Sequence, residues 1–436
     1  MHRTSATWTA AALALGSAAL LIAGPLDPPS GPVAPTYKTL TEVEPRIAIN
    51  ATNTPGDADS LYRITQPGSY YLAGNITGVS GKHGIQIDAS NVTLDLNGFA
   101  LRGVAGSLDG INIVELDGVA IAVRNGSVTS WGDCGLQVND NGGHDSRVEV
   151  VSLHANMNTS HGIDTRFAGV VVGCVVTDNG GDGISALGNS RVSDCTARFN
   201  LGDGISVNAD SVVTSCVASS NAGTGFDLGP GCTLIGSTAS SNNIGITASA
   251  SIIRDCVVSD SDSHGASVFS ACTIADSTFY RNGGHGVDLN GGTNIKNCTA
   301  TENDGHGFSI GTNSSIQGCT ARDNGSSGIN ATNAAIILQN QCHDNGQGLF
   351  GGAGISVDGN DNRVEGNNCT SQDLGIDVNA SGNFLLANTC SGNTINWTVV
   401  ANNKCFVVLG VNSGAISGDS GGSSPGSTNP WANFSY

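Results

Sequence analysis

Cys174-Val-Val-Thr-Asp-Asn-Gly-Gly-Asp-Gly-Ile184 decides the fold, because the chain says it again. It returns as Cys195-Thr-Ala-Arg-Phe-Asn-Leu-Gly-Asp-Gly-Ile205 and as Cys319-Thr-Ala-Arg-Asp-Asn-Gly-Ser-Ser-Gly-Ile329. The glycine before the apolar residue falls at Gly183, Gly204, Gly225, Gly245, Gly265, Gly286, Gly307 and Gly328, every 20 or 21 residues. A fixed period of this length is the mark of a solenoid. Within one period, Ile205-Ser-Val207, Phe226-Asp-Leu228, Val287-Asp-Leu289 and Phe308-Ser-Ile310 alternate apolar and polar, as a half-buried strand does.

A second piece carries the aliphatic column Val192, Val213, Leu234, Ile253, Ile274, Ile295 and Ile316. A third starts after Cys195, Cys216, Cys256, Cys298 or Cys319, with Ala or Val two residues on. Beyond it comes an Asn, at 179, 200, 221, 282, 303 and 324. Three short strands per rung make an all-β chain, a single-stranded parallel β-helix. Helical repeats need ten or more residues at 3.6 periodicity, and these pieces are too short and too β-branched. Equivalent residues then stack about 4.8 Å apart. The Asn column is expected to be a turn ladder, its amides bonded to the rungs on either side. The 13 Cys are expected to be mostly free and buried, because stacked Cβ vectors run parallel and aim the sulfurs poorly.

The rest of the chain is arranged around this repeat. Residues 1–24 read as a signal peptide: His2 and Arg3 precede the Ala/Leu-rich run Thr9 to Ala23, too short to span a bilayer. Secretion, or delivery to the periplasm or cell envelope, is the expected address. Residues 25–45 are a Pro-rich flexible segment and 46–82 an N-terminal cap. Repeats fill 83–382, last strands and a C-terminal cap 383–413, and a Gly/Ser-rich tail 414–436. From Gly84 to Gly162 the steps lengthen to 25–27 residues. Outward loops are expected there, carrying Trp131, Asp133, His144, Asp145, His154 and His161. Another long rung holds the insertion Gln347 to Gly352.

The net charge is −19, from 36 acidic and 17 basic residues. That argues against nucleic acid, whose affinity rests on cations, and against bare anionic polysaccharide unless Ca²⁺ mediates. No metal site or other cofactor is identified. No later stretch is apolar enough to form a transmembrane segment.

The Cys-x-Ala-x-x-Asn-x-Gly-x-Gly-Ile repeat resembles the right-handed parallel β-helix superfamily, the pectin-lyase-like fold, over residues 60 to 410. The resemblance implies a right-handed solenoid. It implies a polysaccharide or cell-envelope glycan as partner and, if the chain is active, a polysaccharide lyase or glycoside hydrolase. The family's reactions differ too widely for the repeat to choose one. Gly-His-Gly appears at Gly284-His285-Gly286 and Gly305-His306-Gly307, where it coincides with the repeat's own step. The Asp-Pro-His of alginate epimerases is absent, as are the other polygalacturonase motifs. A non-catalytic envelope or matrix scaffold stays open beside the polysaccharide reading.

Two constellations stand out. The position before the Gly step holds His83, Asp109, His161, Asp182, Asp203, His264, His285 and His306. This column is either a ligand strip or a solvent-facing turn that accepts His, Asp, Ser or Thr. The second constellation is His161-Gly-Ile-Asp-Thr-Arg166. Asp164 and Arg166 are expected on the outer face of one strand, as catalytic candidates with His161. Trp131 is the candidate stacking surface for a sugar ring.

Overall fold

The computed structural model describes residues 44–114, 120–139, 147–346, 351–405, 407–408 and 431–435. The signal peptide, most of the Pro-rich segment, the loop with His144 and Asp145, most of the 347–352 insertion and most of the tail lie outside the described residues.

Each rung contributes one strand to a front sheet of 16 parallel strands, Ser60–Ile64 first and Ile395–Val399 last. The second and third strands of each rung run on into one 32-stranded sheet. They join across a two-residue corner whose first member has positive φ, as at Asp194, Ser215 and Asp255. In the long rungs this corner is swallowed into continuous strands, Ala120–Thr129 and Arg147–Asn156. The register is strict: Ile205 pairs with Phe226, Val213 with Leu234, and Ala218 with Ala239.

Alternation sets the core. Ile205, Val213 and Ala218 are all fully buried, whereas Ser206 between its buried neighbours stays half-exposed. The glycine before the front strand is there for room. A Cβ on Gly204 would lie 2.7 Å from both the Gly225 carbonyl oxygen and Asn221 Nδ2.

Every corner carries an inward ladder that accepts the main-chain N–H of the rung before. At the corner leading into the front strand, Asn179 donates from N (3.1 Å) and Nδ2 (2.9 Å) to Asn200 Oδ1, which repeats the pattern onto Asn221. The cysteine column does the same work with a softer acceptor. The Cys174 amide donates to Cys195 Sγ at 3.4 Å, the Cys216 amide to Ser237 Oγ at 3.2 Å, and the Cys319 amide to Asn340 Oδ1 at 2.9 Å. Cys, Ser and Asn therefore exchange freely, because the position asks only for a small acceptor. All 13 cysteines are free, Cys405 half-buried and the rest buried. Ser261 is the weak link of the Asn ladder: its amide donates to Asn282 Oδ1 at 3.1 Å, but its Oγ has no partner.

The stretch expected as an N-terminal cap is already solenoid. Ser60–Ile64, Gly68–Tyr71 and Ile76–Thr77 pair in parallel with 83–87, 92–95 and 100–102. The period is hidden in the sequence because that rung has Leu61 at the position of Gly84 and so lacks the Gly step. At the other end Phe384–Leu386 and Thr389–Ser391 also remain in register.

Candidate functional site

The front sheet brings three of the four candidate residues together. His161 precedes the strand Ile163–Asp164, and Arg166 follows it. Arg166 Nε lies 3.4 Å from Asp164 Oδ2, and the Arg166 amide donates to Asp164 Oδ1 at 3.3 Å. Asp164 is not on an open outer face as expected. Its side chain is 7% exposed, and Arg166 leaves the strand with φ +55°. The carboxylate caps that left-handed turn, so the pair meets through a turn rather than through strand alternation. Burial raises the Asp164 pKa, with Arg166 and then His161 opposing the rise.

Trp131 is the clear correction. It offers no stacking face, being 1% exposed. Three glycines cut the slot that takes it in: a Cβ on Gly84, Gly78 or Gly110 would come within 2.6, 2.8 or 2.9 Å of the indole. Its Nε1–H is satisfied by the Leu101 carbonyl at 3.2 Å. A tryptophan in a polar stretch looked exposed because glycines give no hydropathy signal for the cavity they leave.

Next to this cluster Asp109 is a buried hub. It accepts the Cys134 amide and Asn112 Nδ2, each at 3.0 Å, and Gln137 with its amide turned to donate lies 3.2 Å from both oxygens. Asn112, Gln137 and Asp164 are successive residues of one front column. Asn112 and Gln137 escaped the sequence reading because single amides in a strand carry no motif. Ligand atoms of Asp109, Asp133 and Cys134 lie within 4.8 Å of one another. The set does not suit Ca²⁺, which takes six to eight oxygens. The Asp109 oxygens are already spent on donors, and burial pushes the Cys134 thiol up to about 12, keeping it protonated.

The His/Asp column resolves in favour of the turn. His264, His285 and His306 stack with ring centroids 5.0 and 4.9 Å apart. Each Nδ1 accepts the next rung's amide, from His285, His306 and Ser327, at 2.9, 2.9 and 3.1 Å. A neutral ring that accepts at Nδ1 carries its proton on Nε2 and keeps no lone pair for a metal. Asp182 and Asp203 accept the same amide through a carboxylate oxygen. His and Asp alternate here because both place an acceptor at that reach. Burial, then the neighbouring His306, lowers the His285 pKa to about 4; burial also lowers that of His306.

The concave surface lies elsewhere on the long rungs. A groove of about 550 Å³ crosses the outer face of the third strands, lined among others by Arg102, Thr129, His154, Asn156, Met157 and Thr177. A second of about 350 Å³ shares Ser127 and His154 at the adjoining corner. A third of about 510 Å³ lies over the second strands between Asn91 and Val170, with Arg147 and Glu149. His154, expected in a loop, is instead on the strand Arg147–Asn156 and lines two of the grooves. Among the described residues no helix is long and apolar enough to cross a membrane.

The sequence matches the family described as the right handed beta helix region over residues 109–252, 187–316 and 270–418, more than half of the chain. No curated protein matches it. Among solved structures it is similar to tailspike protein 3 of bacteriophage CBA120, at 14% identity and TM-score 0.43, over 81% of this chain and 59% of that one. It is also similar to the Dettilon tailspike protein, at 14% identity and TM-score 0.34, over 75% of this chain and 62% of that one. The A-module of the Azotobacter vinelandii mannuronan C-5 epimerase AlgE4 follows at 17% identity and TM-score 0.33, over 77% of this chain and 90% of that one. The chain thus spans about three fifths of either tailspike's length. None of these likenesses carries a substrate or a residue role to this chain.

Proposed function

This chain belongs to the right-handed β-helix family, and on that premise we propose that it binds a polysaccharide across its long rungs, outside the cell or in its envelope. One observation carries the reading: the three grooves lie on those rungs, where the longer steps occur. The largest of the three is lined by hydroxyl and amide side chains, one Arg and one His, together with Ala100, Met157 and Val175, on a hydrogen-bonded sheet. Such a floor is rigid before the ligand arrives, so little ordering cost falls on binding. Export rests on the reading of residues 1–24 as a signal peptide.

Processing of a glycan held on the front sheet, apart from the three grooves, is a second reading, and the raised pKa of Asp164 beside Arg166 favours it. Asp164 is then the proton donor, with His161 and Arg166 beside it, since a buried carboxyl poised toward neutrality suits general acid work. Incubation with a panel of neutral and uronic polysaccharides, with and without Ca²⁺, tests both readings. Binding without new products in the mass spectrum supports the first alone. Products that disappear in Asp164→Asn support the second. No binding to any member leaves the scaffold reading in place of both.

A further inference from the structure

We propose that the third-strand face running from the long rungs into the first regular rungs is a site for a linear anionic glycan, lying along the solenoid axis between Arg102 and Arg198. The proposal rests on the glycan reading above and names the ligand's charge, direction and contacts.

The register places Arg102, Thr129, Asn156, Thr177 and Arg198 in a single column, one residue per rung. All five alternate with buried residues and so face outward; both arginines are exposed. Four inter-strand steps separate the two arginines, about 19 Å. Each step is close to the length one pyranose adds to a linear chain, so a glycan on this axis meets the same kind of floor at every ring. Between the cations that floor is hydroxyl, amide, hydroxyl, the groups that exchange hydrogen bonds with sugar hydroxyls.

Charge selects the ligand. Among the described residues neither Arg102 nor Arg198 has an ion-pair partner, whereas Arg254, Arg281 and Arg322 farther along the helix each contact an Asp at 3.4, 3.0 and 3.0 Å. Among the described residues no carboxylate lines the groove, which holds His154 as well as Arg102. The net charge of −19 is an average over the whole surface, and this strip departs from it. Guanidinium pairs best with the planar or tetrahedral oxyanions of carboxylate and sulfate.

The edge of the face is apolar where the repeat is not. The corner after the third strand holds Met157, Asp178, Phe199, Ser220 and Ser241, all with positive φ. Asp and Ser suit that conformation, and a bulky side chain there is uncommon and strained. Yet Met157 and Phe199 occupy it, 55% and 57% exposed, with Leu201 beyond at 72%. Phe199 stands directly after Arg198, where it can cover the apolar face of a sugar ring while the guanidinium holds that ring's oxyanion.

Affinity electrophoresis and calorimetry with polygalacturonate (carboxylate), carrageenan (sulfate) and galactomannan (neutral) test this on the full chain. At low salt an anionic polymer binds tighter than galactomannan, and the difference shrinks as salt rises. Arg102→Gln and Arg198→Gln each weaken anionic binding about tenfold, as expected for one charge-assisted contact. The double variant weakens it further, and Phe199→Ser weakens it in either anionic arm. Arg322→Gln, in the same column on a regular rung, changes nothing. Circular dichroism confirms that each variant is folded. Preference for carrageenan over polygalacturonate assigns the oxyanion as sulfate, and the reverse as carboxylate. Galactomannan binding as tightly as the anionic polymers overturns the anionic claim and leaves the glycan reading standing. So does anionic binding indifferent to both arginine variants, which moves the site to another face. Failure of all three polymers to bind overturns the site and the glycan reading together.

Discussion

The regular rungs, Cys174 to Ser327, and the long rungs, His83 to Asp164, have the same core and opposite surfaces. In the regular rungs nearly every special residue is spent on the repeat. Asn holds one corner, Cys or Ser the second, and His or Asp the turn before the front strand. In the long rungs the same columns continue, with Asn158 bonded to Asn179 and His83 to the Asp109 amide. Around them stand residues the repeat does not use: Arg102, His154, Asn156 and Met157, with Trp131 beneath. Regularity consumes side chains, and the departures from it are what is left for binding. This is why a histidine triplet in the regular region is a ladder, while a lone histidine on a long strand lines a groove.

The contrast can be broken most severely in the core. Val213→Asp places an unpaired carboxylate among fully buried neighbours, at a cost of several kcal/mol or a strongly raised pKa. Ser206→Asp on the outward face of the same rung is expected to be tolerated, and denaturant melts of the two should differ widely. Trp131→Ala empties the slot built by Gly78, Gly84 and Gly110 and should cost about 3–5 kcal/mol. It should leave glycan affinity per folded molecule unchanged. Loss of binding in a folded Trp131→Ala protein would restore tryptophan to the site.

The ladders give smaller effects. Asn221→Ala deprives the Asn200 amide N–H and side chain of their acceptor and should cost about 2–4 kcal/mol. Ser261→Asn runs the other way. It restores the amide that its neighbours Asn242 and Asn282 have, and should stabilise the helix by about 1 kcal/mol. Equal and negligible effects would mean that the ladder merely accompanies the stacking.

Acid should loosen the histidine stack. His285 has its pKa lowered to about 4 and His306 is lowered too, so the unfolded chain binds more protons than the folded one between about pH 6.5 and about 4. Stability contributed by the neutral rings is present above the unfolded pKa and falls as pH drops through that window. Asp288 opposes the shift at both rings, and Asp358 at His306. His285→Gln should flatten this part of a stability–pH curve measured by denaturant melts. An unchanged slope would remove the stack as its cause.

The fold was legible because it is periodic. The step from Gly183 to Gly328 fixes rung length, strand number and the inward columns, and the Cys and Asn columns could be assigned from spacing alone. The site was only partly legible. His161, Asp164 and Arg166 do converge, since three residues within six positions of one rung have little freedom to separate. Trp131 was misplaced because its burial depends on Gly78, Gly84 and Gly110, tens of residues away in sequence. Arg102 was missed for the same physical reason: it joins Asn156 and Arg198 in one column only through the register of the long strands, which the irregular steps between Gly84 and Gly162 hide from a reader of spacings. The lack of an acidic partner for either arginine is likewise a fact of three dimensions.

The central claim is that ligand lies on the third-strand face from the long rungs to the first regular rungs, between Arg102 and Arg198. Hydroxyl-radical footprinting with mass spectrometry, in the presence and absence of polygalacturonate, tests it most directly. Met157 and Phe199 are both reactive side chains and are 55% and 57% exposed, while Phe269 on a regular rung is a 53% exposed reference. The account predicts that saturating polymer suppresses oxidation of Met157 and Phe199 and leaves Phe269 unchanged. Protection of Phe269 with Met157 and Phe199 still oxidised at their free rate would contradict it.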